Sequence, residues 1–533
     1  MRPSRTARNL LVLLRLAPAA VLTLGAAEPS PMDSKVFDAM RAELERTTAD
    51  LRLPNAPAPY YAGYWVVDAS ERSVEASLGA VVSDETTKDR FVRVELRVGS
   101  HDSDNSNYAG KATDGDFMRE AELLSPRPAP IDDSPQTLQH VLWLATDAAY
   151  KGAVETLERK RATKQSEIAM RGDVPSFSIE PATFLVVPEP ASVGGDVDPR
   201  ALGRQVSAIF RAIPEVQKSE VHVLQTSTRR RFLSSEGSLA VEPARFSGIE
   251  ITCEGQAEDG MPLERTAFLA APVGGALSPR AGEEEARRIG RELSALGHAA
   301  VVEDYAGPVL FEGRAAAQLV YELLGESLSG TPSPEGNEEM EGHLSRKLGR
   351  RILPRGVNVV DDPTLGSEGG SPLLGHYALD DEGVPGERVS LVEDGRLTHF
   401  LMSRTPREGV LRSNGHGRSG LVGWARGHVS NLMMSATGKS ALAKPALRAR
   451  FLGAVRDEGG KFGIIVTELE PRTSATNGEV MPTVQVAYRV ALDGKETLVR
   501  GATLAPMNVR DLRDILAVGQ GGTVYSFLSE SDG

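Results

Sequence analysis

The chain has a single cysteine, Cys253, among 533 residues, which excludes an intramolecular disulfide in any compartment. Its setting, "GIEITCEG", reads as a strand, so a buried structural thiol is expected rather than a nucleophile. Aromatic residues make up only 5%. No apolar run reaches the about 20 residues a membrane helix needs, so no membrane span is expected. Positive charge is in deficit: the net charge is −13, and a chain of that sign opposes the counterion release that drives nucleic-acid binding. The short basic runs Arg229-Arg230-Arg231 and Arg346-Lys347 with Arg350-Arg351 are therefore read as solvated strand or helix faces. Phosphate loops are missing too. "GQGG" (519–522) precedes a strand, "GHGRSG" (415–420) lacks a strand-turn-helix context, and there is no G-x-S-x-G elbow.

What is present begins at the N-terminus. Arg2, Arg5, Arg8 and Arg15 give a basic opening, "LAPAAVLTLGAA" a short apolar core, and "EPSP" a polar exit. That order predicts a signal peptide over 1–27, cut near Ala27, and an exported periplasmic or extracellular protein. A cytoplasmic protein is the alternative. Losing four arginines and no acid would take the net charge from −13 to −17.

The length predicts two or three domains. Val36, Phe37, Met40 and Leu44 space one helical stripe. "RFVRVELRVG" alternates, with Val92, Val94, Leu96 and Val98 on one face and Arg90, Arg93, Glu95 and Arg97 outside that set, as in a half-buried strand. Ser134 and Pro135 open the clearest helix, followed by a Pro/Gly/Ser-rich linker over 173–198. A short helix near 200–212, a meander turning at Asp259-Gly260, and a helix from "SPRAGEEEARR" with acids in its first turn come next. Beyond about Gly330 the chain reads as short strands, with little helix until 509–516. The fold class is therefore α+β: an N-terminal α+β region over 28–300, with antiparallel strands and long helices, followed by a β-rich C-terminal domain over 301–533.

The nine histidines form no i, i+3 or i+4 pair and no H-E-x-x-H. One stretch, "GRAAAQLVYELLGESLSG" (313–330), is a strand-fed amphipathic helix with two carboxylates. Glu322 suits a general base. Tyr321 is a poor metal ligand, since a phenol titrates near 10, and residues five apart lie about 140° apart around a helix. Tyr321 and Glu326 converge only if the helix ends or bulges at Gly325. The plainer reading is a packing helix that buries Leu319, Val320, Leu323 and Leu324.

"LGRRILPRGVNVVDDPTL", "ALDDEGVPGERVSLVEDGRL", "HVSNLMM", "ATNGEV" and "LVRGATL", in that order, resemble the TldD/PmbA (TldE) family, and "RFLSSEG" upstream fits as well. The likeness implies a metallopeptidase-related protein whose metal helix is 313–328. In the active branch that helix carries H-E-x-x-x-H and a later cysteine. Here the ligand positions fall on Tyr321 and Glu326, the base position on Glu322, and no late cysteine exists. The resemblance is thus closest to the branch lacking the zinc motif, which implies a non-catalytic subunit with no cofactor. Such a subunit would bind a peptide or unfolded segment, pair with a TldD-like protein, or self-associate as a dimer. The alternative is an active zinc peptidase with Glu322 as base and a site rebuilt from Glu326 and one of His376, His416 or His428. Two departures accompany the likeness: the exported N-terminus, and a chain that stops at Gly533 where the family runs on through a final strand.

Overall fold

The computed structural model describes residues 30–109, 124–132, 134–166, 174–190, 197–271, 275–335, 342–419, 423–470, 474–476, 479–522 and 524–526. The segment read as a signal peptide lies outside the described residues.

Helix α1 (Pro31–Ala49) opens on a capping box, in which Ser30 and Asp33 satisfy each other's backbone N–H groups. Strands β1 (Pro59–Ser77) and β2 (Ala80–Val98) form a long hairpin turned by Leu78 and Gly79, both at positive φ. Strand β3 (Arg127–Ala129), helix α2 (Pro135–Ser166), strand β4 (Phe184–Val186) and helix α3 (Pro199–Ser207) follow. Strands β5 (Val216–Ser234), β6 (Leu239–Gln256) and β7 (Pro262–Ala270) lead into helix α4 (Pro279–Gly297). Together the strands make one sheet in the order β3-β2-β1-β5-β6-β4, with β7 also on β6. All its pairings are antiparallel except β4 on β6.

Two helix pairs cover this sheet. The predicted stripe Val36, Phe37 and Met40 on α1 meets Leu138 and Leu142 on α2 and the Val92–Val98 face of β2. Farther along, Leu202 and Val206 of α3 and Ile289 and Leu293 of α4 pack on Ile249, Ile251 and Cys253 of β6.

The C-terminal part begins with β8 (Ala300–Val301), β9 (Val309–Phe311) and helix α5 (Arg314–Leu324). Next come β10 (Val357–Asp361), β11 (Val389–Glu393), β12 (Arg396–Leu397), β13 (Gly417–Arg418), β14 (Arg426–Gly427) and β15 (Leu432–Ala436). Helix α6 (Lys444–Asp457) and strands β16 (Phe462–Leu469), β17 (Val484–Ala491) and β18 (Glu496–Arg500) complete it. One sheet runs β12-β11-β10-β15 and another β8-β18-β17-β16-β9. Leu319, Leu323 and Leu324 of α5 share a core with Val357, Leu391 and Val466, so α5 packs between those two sheets as its apolar stripe predicts. The chain is α+β, and no helix of the described residues is long and apolar enough to cross a membrane.

Several expectations need correction. Arg230 and Arg231 are buried and Arg229 half-buried, so this basic run is not a solvated face. Each arginine has a carboxylate partner: Asp33 bonds Arg229 and Arg231, Asp68 bonds Arg231, and Asp381 bonds Arg230. Nor is the 90–98 stretch of strand β2 half-buried. Its charged face, Arg93, Glu95 and Arg97, is as enclosed as its valine face because the C-terminal part closes over it. Helix α6 went unanticipated, although Pro445 near its start and the buried Phe451 and Val455 four residues apart carry its signal. The region 509–516 holds only a 3-10 turn, Asp511–Asp514. The acids of α4 begin at Glu283, beyond its first turn. The run at 346–351 is solvent-facing as read, in turns rather than in a strand or helix.

Candidate functional site

Helix α5 is held at three places before its two carboxylates are reached. Glu312 accepts two bonds from Arg448 of α6, at 2.8 and 3.0 Å, and those bonds hold its carboxyl below the usual range. Gly313, at φ +61, turns the chain from β9 into the helix, a conformation that favours glycine. Within the helix, Arg314 bonds Glu468 of β16 at 2.9 Å. Gln318 grips the backbone of Leu469 with its amide N–H and carbonyl, at 3.1 and 3.3 Å.

Tyr321 and Glu322 are half-buried on this helix, and Glu326 is exposed beyond its end. The helix does not bulge at Gly325. That residue stays right-handed (φ −48), and its N–H donates to the Tyr321 carbonyl at 2.7 Å. A 3-10 turn, Glu326–Leu328, follows at once. The tyrosine ring itself lies alongside Gly325, 3.5 Å from where a Cβ would sit. Residues 321 and 326 thus keep roughly the 140° separation of regular helix geometry.

Zinc needs three protein donors converging on one point, each neutral nitrogen, thiolate or carboxylate. The residues present do not fit it. Tyr321 offers a phenol, and Glu326 is exposed in the 3-10 turn beyond the helix end. Cys253 is buried in β6, in the core beneath α4. His376 and His416 are buried, and burial lowers the basicity of both rings. The Nδ1 atom of His376 is engaged by the Pro363 carbonyl and that of His416 by the Asn414 carbonyl. His428 Nδ1 sits 2.9 Å from the Val429 carbonyl. Among the described residues, no group of three or more His, Cys, Asp or Glu is placed to hold a metal ion.

A second polar constellation was not singled out from sequence. The loop Asp380-Asp381-Glu382 projects from the C-terminal part onto β1, β2, β5 and β6. Asp381 Oδ1 accepts from Arg230 of β5 at 2.7 Å, its Oδ2 accepts from the Ser419 N–H at 2.9 Å, and its carbonyl accepts from the Trp65 indole of β1 at 3.0 Å. Burial would raise Asp381, but Arg418 and Arg230 outweigh it and keep the carboxyl ionised. Arg97 of β2 bonds Glu95 at 2.8 Å and Asp104 at 3.1 Å. Arg404, from the C-terminal part, pairs with Glu236 at 2.7 Å and donates to the Ser178 carbonyl at 2.6 Å. The sequence signal was available: an R-V-E-L-R strand and a D-D-E loop are dense in charge, which suits mutual burial as well as it suits solvation.

Comparison with known proteins now adds to this geometry. Residues 304–526 match the family model of the PmbA/TldA metallopeptidase C-terminal domain. A metalloprotease of Methanothermobacter thermautotrophicus is 28% identical over 258 residues, covering 48% of this chain and 54% of that protein. One of Archaeoglobus fulgidus is 32% identical over 111 residues, covering 21% and 24%. The chain thus spans about half the length, or less, of these relatives. Among solved structures, TldE of Thermococcus kodakarensis aligns with a TM-score of 0.57 over 92% of this chain and 96% of its own, at 16% identity. A protein of Thermotoga maritima, named as a candidate modulator of a DNA gyrase, aligns with a TM-score of 0.57 over 86% and 91%, also at 16% identity. At that identity the likeness is one of fold.

Proposed function

Because the chain belongs to the TldD/PmbA family, whose C-terminal domain it carries over residues 304–526, we propose that it is a non-catalytic member without a resident zinc. It acts as a peptide-binding or partner subunit of a peptidase complex. The observation that supports this is the end of α5: a phenol at 321 and an exposed carboxylate at 326, held apart by a regular helix terminus. The partner is a TldD-like protein or a second copy of this chain, and the ligand is an extended peptide or unfolded segment, taken up along strand edges. Export, resting on the basic-apolar-polar order of residues 1–27, places this activity outside the cytoplasm.

Metal analysis of the purified protein after zinc loading and desalting is the test. Well under one zinc per chain is expected. Stoichiometric zinc that disappears in Glu326→Ala overturns the reading. The half-buried Glu322 favours a second reading, an active peptidase with Glu322 as base. That reading fails if Glu322→Gln matches wild type in every peptidase assay.

A further inference from the structure

The loop that joins the two parts of the molecule buries two carboxyl groups against each other. Asp380 is wholly enclosed and Glu382 nearly so. Asp380 Oδ1 accepts from the N–H groups of Glu382 and Val384, each at 2.9 Å, and its Oδ2 accepts from the Gly417 N–H at 2.9 Å. Glu382 Oε2 accepts from the Arg404 N–H at 2.6 Å. Both carboxyls converge on the α-carbon of Gly417. A methyl group there would sit 3.0 Å from Asp380 Oδ2 and would overlap Glu382 Oε2. The remaining oxygen, Glu382 Oε1, is buried without a hydrogen-bond partner, and the nearest cation, Arg97, stands 3.8 Å off.

Two carboxylates enclosed side by side cannot both stay ionised, and sharing a proton is the ordinary solution. We propose that Asp380 and Glu382 together form a proton-binding site and pH-sensitive latch, which holds the Asp380–Val384 turn against the Arg404 and Gly417 segments while protonated and loosens when the last proton leaves to water.

The surrounding charges belong to every element packed on the pair. From β2 come Arg97 and Glu95, and from the loop after it Asp104. Arg230 of β5, Glu242 of β6 and Glu236 from the turn between them face it from the sheet. Asp381, Arg404, Arg418 and Tyr377 face it from its own side. The arginines are already committed: Arg97 to Glu95 and Asp104, Arg230 and Arg418 to Asp381, and Arg404 to Glu236. The pair is therefore left without a full counter-charge. Burial pushes Asp380 up to about 7, and burial with the Asp380 charge pushes Glu382 well above its ordinary value. A carboxyl raised in the folded state stabilises it at low pH, and that contribution fades as pH climbs from the usual carboxylate range to the raised values. The latch is therefore tight in weak acid and loosens through and above neutrality.

Backbone hydrogen exchange of the full chain reads this directly, because the Gly417 and Arg404 N–H groups donate to the pair. After correction for intrinsic rates, protection of peptides spanning 400–419 is expected to fall at least about tenfold between pH 5.5 and 9, one pKa unit corresponding to a tenfold change. Glu382→Gln, which keeps an acceptor for Arg404 but removes the titration, should flatten that profile, and Asp380→Asn serves as the second variant. Fluorescence of Trp65 and Trp424, which touch Asp381 and Arg97, should follow the same transition. A flat wild-type profile overturns the proposal even if neither variant folds. So does a wild-type transition that survives in either folded variant. Zinc content has no bearing on this result, so its failure is distinct from failure of the subunit reading.

Discussion

Arg97 and Arg404 reach the same ring from opposite ends of the chain: their guanidinium carbons lie 3.6 and 3.7 Å from the centroid of Phe177. That phenylalanine is almost wholly buried, within the stretch 173–198 that composition marks as a linker. It also meets Tyr61 edge-on at 5.0 Å. A cation over an aromatic face contributes up to about 2 kcal/mol when desolvated. Removing a buried phenylalanine side chain costs about 3–5 kcal/mol.

Phe177→Ala should therefore lower unfolding stability by about 4 kcal/mol, measured by urea denaturation. Phe177→Leu, which retains volume but not the ring face, should cost less. Equal losses for the two would assign the effect to packing alone.

The charged face of the sheet gives a second prediction. Arg231 is fully buried between Asp33 of α1 and Asp68 of β1. Arg231→Ala leaves two carboxylates without that partner and should cost about 3–5 kcal/mol. Burial alone would raise Asp33, but hydrogen bonds from Arg229, Ser30 and Arg231 hold its carboxyl far below the usual range. A depressed carboxyl stabilises the fold above the unfolded value and loses that contribution as pH falls. Acid should accordingly detach α1 below about pH 4, seen as early amide exchange over residues 31–49, and Asp33→Asn should show that exchange already at neutral pH.

Helix α5 supplies a third. Gln318 satisfies both the N–H and the carbonyl of Leu469 in a buried setting. Gln318→Leu should destabilise the protein by about 2–4 kcal/mol, since each orphaned buried group costs about 1–3 kcal/mol. Thermal unfolding checks the magnitude. Gln318→Glu, which cannot donate when ionised, should be intermediate at low pH and worse at high pH.

At the latch, Gly417→Ala should cost more than an ordinary surface substitution, because the added methyl collides with Glu382 and crowds Asp380. A loss of about 1–3 kcal/mol is expected for such overpacking. The pH dependence of exchange at 400–419 should weaken with it.

Much of the apolar architecture was legible from residue spacing. The stripes on α1 and α5 and the valine face of β2 pack where their periods place them. The ion pairs were not, because a run such as Arg229-Arg230-Arg231 reads as solvated until its carboxylates are located, and those lie about 150 to 200 residues away. Sequence spacing carries no information about contacts of that range. The candidate helix was legible in position. The way it ends was not: Gly325 permits a bulge, yet its right-handed cap and the 3-10 turn after it depend on tertiary packing around Leu328. Helix α6 was missed because three arginines interrupt its apolar residues, of which only Phe451, Ala454 and Val455 are buried.

The enclosed charged face of β2 has one more consequence. Two halves joined through greasy surface become sticky when pulled apart, and water then drives them into aggregates. A joint made from arginines and carboxylates instead re-wets on opening, with hydration of the ions returning much of what separation removes. The ionic part of the joint, which sits beside the apolar contact of Leu379 with Trp65 and Phe232, should therefore weaken with salt, which screens the same ions.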